Sequence, residues 1–182
     1  MWNATLLWRG LPTVDMDALQ TFHHFAYGSN MSTSRLRARC PSAKVKGVGF
    51  VRGRTMRFHK RGMDGTGKAN AFATHDNDDI LWGVVYETLL SEKVELDRCE
   101  SLGVGYEHAT VEVQVESQTI TTFLYQAITD RIDDSLVPAD WYHAHVINGA
   151  IEHGLPQEYH AMITRVTAQP PQPVNVGTRR MP

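Results

Sequence analysis

Apolar and polar residues alternate strictly along HATVEVQVES, which puts Val111, Val113 and Val115 on one face of a predicted β-strand. TITTFLYQAI follows after a short break and reads as its hairpin partner. KANAFAT and ILWGVVYE bracket the turn HDNDD and predict a further hairpin. Upstream, Phe22 to Ala26 is a short aromatic-rich strand ending in Gly-Ser-Asn. From Lys46 to Phe58 the alternation is loose around Gly47, Gly49 and Gly53, as in one bent or bulged strand. Helical signals lie between and after these strands. MSTSRLRARCPSA, with Ser32, Thr33 and Ser34 ahead of Leu36, predicts a short helix whose first amides lie beside residues 28 to 31. SEKVELDRCESLGVGY predicts a helix capped by Ser91, carrying Val94 and Leu96 and stopped by Gly103 and Gly105. PADWYHAHVINGAIEHGLPQEYHAMITRV predicts a helix from about Pro138 to a stop at Gly154, then a second after Pro156. The pattern is α+β, an antiparallel sheet interrupted by a helix.

Composition narrows this to one soluble domain: 182 residues, 42% hydrophobic and 21% charged. A net charge of -2 supplies no global field for nucleic acid or anionic lipid, so no nucleic-acid or membrane partner is expected. The two cysteines, Cys40 and Cys99, lack the short paired spacings of a zinc site and the density of a disulfide scaffold. A reducing, cytoplasmic setting fits them. Residues 1–20 hold no apolar run long enough for a signal or a membrane span and read as an extension, with Met16 as an alternative start. Residues 21–167 are the domain, and 168–182 a proline-rich, flexible tail.

Several motifs fail on context. GMDGTGKA meets most of the phosphate-loop pattern but has Ala69 where a Mg-binding hydroxyl belongs, and a strand rather than a helix follows. Arg52, Arg54, Arg57, Lys60 and Arg61 form a basic cluster, with Arg52 and Arg54 expected on one strand face, yet solvated strands look the same. Pairs such as His23/His24 and His143/His145 do not put two rings on one helix face, so no metal and no cofactor is expected. No GxSxG elbow supports Ser29 as a nucleophile. Glu100 stands apart. It falls in the last turn of its helix, where the negative dipole end and Asp97, three residues back, both disfavour a carboxylate charge, as proton-transfer chemistry near neutral pH requires.

Taken together, FAYGSNM at 25–31, WGVVYE at 82–87, LDRCE at 96–100 with Gly105-Tyr106 behind it, and PADWYHAHVINGAIEHGLPQEY at 138–159 resemble the gamma-glutamylcyclotransferases, a superfamily that includes AIG2-like proteins. The resemblance covers roughly residues 22–166. It implies a small, mostly antiparallel β-barrel with peripheral helices that converts a small gamma-glutamyl amine to 5-oxoproline, without a cofactor. By position, Glu100 matches the family's catalytic glutamate. Tyr27, Gly28, Ser29 and Asn30 match the loop that holds the glutamyl part through backbone amides, and Tyr106 and Tyr142 match pocket tyrosines. A homodimer is left open, and so is a non-catalytic ligand-binding role on the same fold.

Overall fold

A computed structural model describes residues 20–170. The strands are β1 (Thr21–Ala26), β2 (Lys44–Arg52), β3 (Arg54–Arg61), β4 (Gly67–Ala73), β5 (Ile80–Leu89), β6 (Tyr106–Val115) and β7 (Gln118–Ala127). The helices are α1 (Thr33–Arg37), α2 (Lys93–Cys99), α3 (Asp140–Glu152) and α4 (Gln157–Thr164). Five strands close a barrel in the order β1-β5-β2-β6-β7. All its pairings are antiparallel except the closing contact of β1 with β7, where His24 lies opposite Phe123. This is the mostly antiparallel barrel with peripheral helices expected from the sequence.

The alternation in β6 does what its period predicts: Val111 and Val113 are buried, and β6 pairs with β7 from Tyr106/Ala127 to Val115/Gln118. Phe25, Val84, Val85, Tyr86 and Leu124 join them in the core, with Leu36 of α1 and Leu96 of α2. Each such large apolar side chain contributes roughly 1.5–3 kcal/mol on burial. Val94 points outward, so α2 rests on Leu96 alone among the two apolar positions expected to seat it.

Three expectations are corrected. The stretch from Lys46 to Phe58 is two strands, because Gly53 adopts a left-handed φ of +72° and turns the chain between β2 and β3. The glycines of β2 do produce a bulge, between Val45 and Gly47. KANAFAT and ILWGVVYE do not form a hairpin: β4 pairs with β3 in a separate two-stranded sheet, and β5 pairs with β1 and β2. The hairpin turn is the glycine-rich loop after β3 instead. There Gly67 lets the strands approach so closely that a Cβ would lie 2.0 Å from the Phe58 carbonyl oxygen. Ser91 does not cap α2; it sits in a 3-10 turn, Leu90–Glu92, and no side chain caps the helix. The Glu92 carboxylate is taken by Ser42, whose amide and hydroxyl both donate to it.

Gly53 also separates the basic cluster. Arg52 reaches the Asn77 carbonyl, Arg54 reaches Ala71 and Gln126, Arg57 lies over the Phe72 ring, and Arg61 pairs with Asp133. No single basic face results. No helix among the described residues is long and apolar enough to cross a membrane. Of the proposed extension all but Gln20, and of the tail all but residues 168–170, lie outside the described residues.

Candidate active site

β1 delivers the chain into a 3-10 turn, Ser29–Met31, directly before α1. The amides of Met31 and Ser32 are spent on the carbonyls of Gly28 and Ser29, whereas those of Gly28, Ser29 and Asn30 find no acceptor among the described residues. Helix α3 locks this turn in place. Gly149 lies so near Met31 and Ser32 that a Cβ would come within 2.6 Å of both, and the Met31 carbonyl accepts from Tyr86 Oη and pairs with His153 Nε2. Gly28 fits a similar constriction, since a Cβ there would lie 2.9 Å from the Ala69 Cβ. Glycine is therefore needed at 28 for the close approach, not for a positive φ, its φ being -108°.

Glu100 ends α2 as its C-cap, seventy positions along the chain, and its carboxylate returns to this turn. Asn30 Nδ2 donates to Glu100 Oε1 at 3.0 Å, and Arg39 Nη1 donates to the same oxygen at 2.7 Å. Arg39 Nη1 also reaches Asn30 Oδ1 at 2.9 Å, closing a triangle. Nothing among the described residues donates to Oε2. The like-charge crowding expected from Asp97 does not occur. Asp97 faces away, ion-paired with Lys93 at 2.7 Å, accepting from Tyr125 Oη at 2.6 Å and lying 3.0 Å from His108 Nε2. The charged group that touches Glu100 is Arg39, with the two side chains 18% and 16% exposed.

The three expected tyrosines converge here. Tyr106 Oη donates to the Ala69 carbonyl at 2.8 Å, and the Ala69 amide donates to Tyr142 Oη at 3.1 Å, so the two hydroxyls hold the backbone of one residue of β4 from either side of its Cα. Tyr27 Oη donates to the Tyr125 carbonyl. Burial pushes the proton affinity of all three phenols up, which keeps them neutral hydrogen-bonding groups. Tyr27 to Asn30, Ala69, Glu100, Tyr106 and Tyr142 line a narrow inner cleft of about 30 Å³. Ser29, Glu100, Tyr106 and Tyr142 also line an outer pocket of about 270 Å³, whose remaining wall includes Arg35, Arg39, Lys60, Lys68 and Trp141. All seven residues singled out in the sequence thus meet at one place.

The arginines and Lys60 of this pocket were not expected as site residues. Arg35 and Arg39 are four apart, a helix-face spacing visible in the sequence. Lys60 had no such signal, because the register of β3 against β4 shifts between Arg57 and Lys60.

Residues 80–163 match the model of the AIG2-like family. The gamma-glutamylcyclotransferase of Bos taurus is 31% identical over 153 residues, spanning 81% of this chain and 79% of that protein. The chain belongs to the gamma-glutamylcyclotransferase family. The Homo sapiens gamma-glutamylcyclotransferase is 30% identical over 143 residues, 77% of this chain and 76% of that one. A solved gamma-glutamyl cyclotransferase structure superposes with a TM-score of 0.74 at 28% identity, covering 82% of this chain and 90% of the other. A yeast cyclotransferase described as specific to glutathione shares the fold at a TM-score of 0.63 and 13% identity, covering 79% and 94%. In this gamma-glutamylcyclotransferase chain the family-model match carries Glu100, Tyr106 and Tyr142, while the turn they face lies upstream of it.

Proposed function

We propose that the protein cyclises a gamma-glutamyl amino acid or amine to 5-oxoproline and releases the amine, with Glu100 moving the protons. The observation that carries this is a carboxylate held by one oxygen and open at the other. Asn30 and Arg39 fix Glu100 Oε1, and Oε2 meets no donor among the described residues.

The chemistry balances with one shuttle. The substrate's α-ammonium must lose two protons to become the ring N–H of 5-oxoproline, and the departing nitrogen must gain two to leave as an ammonium. A single carboxylate that accepts each proton and delivers it meets both needs, with no water consumed. The α-nitrogen attacks the gamma-carbonyl carbon, the new C–N bond closes the five-membered ring, and the bond to the leaving nitrogen breaks. The nucleophile belongs to the substrate, so Ser29 has no covalent step; its hydroxyl accepts from Arg35 Nε at 3.1 Å. Open amides at Gly28, Ser29 and Asn30 suit a substrate carboxylate or the oxyanion of the tetrahedral intermediate. The neutral tyrosines wall the inner cleft and limit water there.

Incubating the purified chain with gamma-Glu-Ala, gamma-Glu-Gly, glutathione and a gamma-glutamyl alkylamide, and measuring 5-oxoproline by mass spectrometry, tests the reading. Product from at least one of them is expected. Product from none overturns it.

A further inference from the structure

Lys60 is anomalous. It lies at the end of β3 with only 8% of its surface exposed, yet no carboxylate or carbonyl among the described residues lies within bonding reach of its ammonium. Nζ sits 4.6 Å from the centre of the Tyr106 ring and against Gly105, where even a Cβ would come within 3.0 Å. Glu100 acts on it only through space. A ring face offsets little of the cost of taking an ammonium out of water, and burial draws the Lys60 proton affinity down. Side chains in this condition are stabilised when an anion arrives.

The charges around the outer pocket show which anion. Of its four cations, Arg39 is paired with Glu100 at 2.7 Å and Lys68 with Asp64 at 2.7 Å. Arg35 is tied to the turn through Ser29 and lies over the Trp141 ring, on the glutamyl side of the site. Lys60 alone has no ionic or hydrogen-bonding partner for its ammonium among the described residues, and it lines the outer pocket but not the inner cleft. A gamma-glutamyl amino acid carries two carboxylates, one on the glutamyl part and one on the part that departs.

We propose that Lys60 Nζ is the counter-ion for the carboxylate of the departing amino acid, and so the residue by which this pocket tells an amino acid from a plain amine. This rests on the cyclisation proposed above. Lys60 is a binding and selecting residue and moves no proton.

The test compares gamma-Glu-Gly with gamma-Glu-methylamide, which differ by that one carboxylate, in wild type, Lys60→Met and Lys60→Arg. Lys60→Met should raise KM for gamma-Glu-Gly on the order of tenfold to a hundredfold, the scale of one charge-assisted hydrogen bond, with kcat little changed. It should leave gamma-Glu-methylamide within about threefold of wild type, a change of under about 1 kcal/mol, because that substrate brings no carboxylate to Lys60. Lys60→Arg should restore most of the preference. An equal loss on both substrates would mean that Lys60 acts through Glu100 or through the fold, and would overturn the assignment, as would no loss on either. Lys60→Gln replaces Lys60→Met should the latter fail to fold. If wild type turns over neither compound and none of the other gamma-glutamyl amines named above, the reaction itself is refuted. Calorimetric titration of gamma-Glu-Gly into wild type and Lys60→Met then decides Lys60 separately: weaker binding by the variant supports the assignment, and equal binding overturns it.

Discussion

Replacing Glu100 by glutamine separates chemistry from architecture, because both anchoring hydrogen bonds end on one oxygen. Asn30 at 3.0 Å and Arg39 at 2.7 Å donate to Oε1, and an amide oxygen in the same place accepts both. What Glu100→Gln removes from the folded state is chiefly the carboxylate's charge assistance to the Asn30 bond, which becomes a neutral one, while the Arg39 bond keeps the charge of its guanidinium. A hydrogen bond involving a charged group contributes about 1.5–3 kcal/mol and a neutral one about 0.5–1.5, so the loss is about 1 kcal/mol. For a domain of this size that lowers the melting midpoint by roughly 2–4 °C. The catalytic loss is far larger. An amide can neither take a proton from the α-ammonium nor deliver one to the departing nitrogen, and general acid–base groups contribute about 10²–10⁴ in rate, or about 3–5 kcal/mol of barrier. The assay is kcat for 5-oxoproline release, with thermal unfolding followed by circular dichroism on the same preparations. A variant within about tenfold of wild type would remove Glu100 from proton transfer. A midpoint lowered by more than about 10 °C would show instead that the carboxylate is mainly structural and that the loss of activity has no chemical meaning.

Arg39→Met removes both its bond to Glu100 and its bond to Asn30, so kcat/KM should fall at least tenfold with a stability loss of about 1.5–3 kcal/mol, measured by steady-state kinetics and urea unfolding. Tyr142→Phe leaves the Ala69 amide without its acceptor and should cost about 1–3 kcal/mol; Tyr106→Phe does the same to the Ala69 carbonyl. A double-mutant cycle on the two should show coupling of at least about 0.5 kcal/mol, since both hydroxyls hold the backbone of the one residue Ala69, and strict additivity would contradict that picture. The His24 ring, stacked on Tyr86, is pushed down from 6.5 to about 3 by burial, with His23 and Lys93 adding to the effect. The unfolded chain takes up this proton below about pH 6.5 and the folded chain only near pH 3, so stability is lost as pH falls through that window and none is lost above it. His24→Phe should flatten this acid limb in urea unfolding between pH 7 and 4, and an unchanged slope would rule out His24 as its source.

The strands were legible wherever local pattern and tertiary partner agree. Val111, Val113 and Val115 alternate because one face of β6 meets the core, and the turn after Val115 returns the chain directly into β7. Where pairing runs between distant segments the pattern had no access to it. KANAFAT is as strand-like as ILWGVVYE, but its neighbour is β3 rather than β5, in a pairing whose close approach at Gly67 leaves no room for a Cβ. The site divides in the same way. Sequence alone determined that Tyr27 to Asn30 form a turn between a strand and a short helix, and that Glu100 closes a helix, since caps, glycines and periodicity are local properties of the chain. The motif order was enough to bring Tyr106 and Tyr142 into the same reading. Tertiary structure decided which charges meet. It turned Asp97 toward Lys93 and away from Glu100, set Arg39 against that carboxylate, and left Lys60 buried with no anionic partner among the described residues. Electrostatic interaction falls off over a few ångströms and depends on burial, and neither quantity can be read from spacing along a chain.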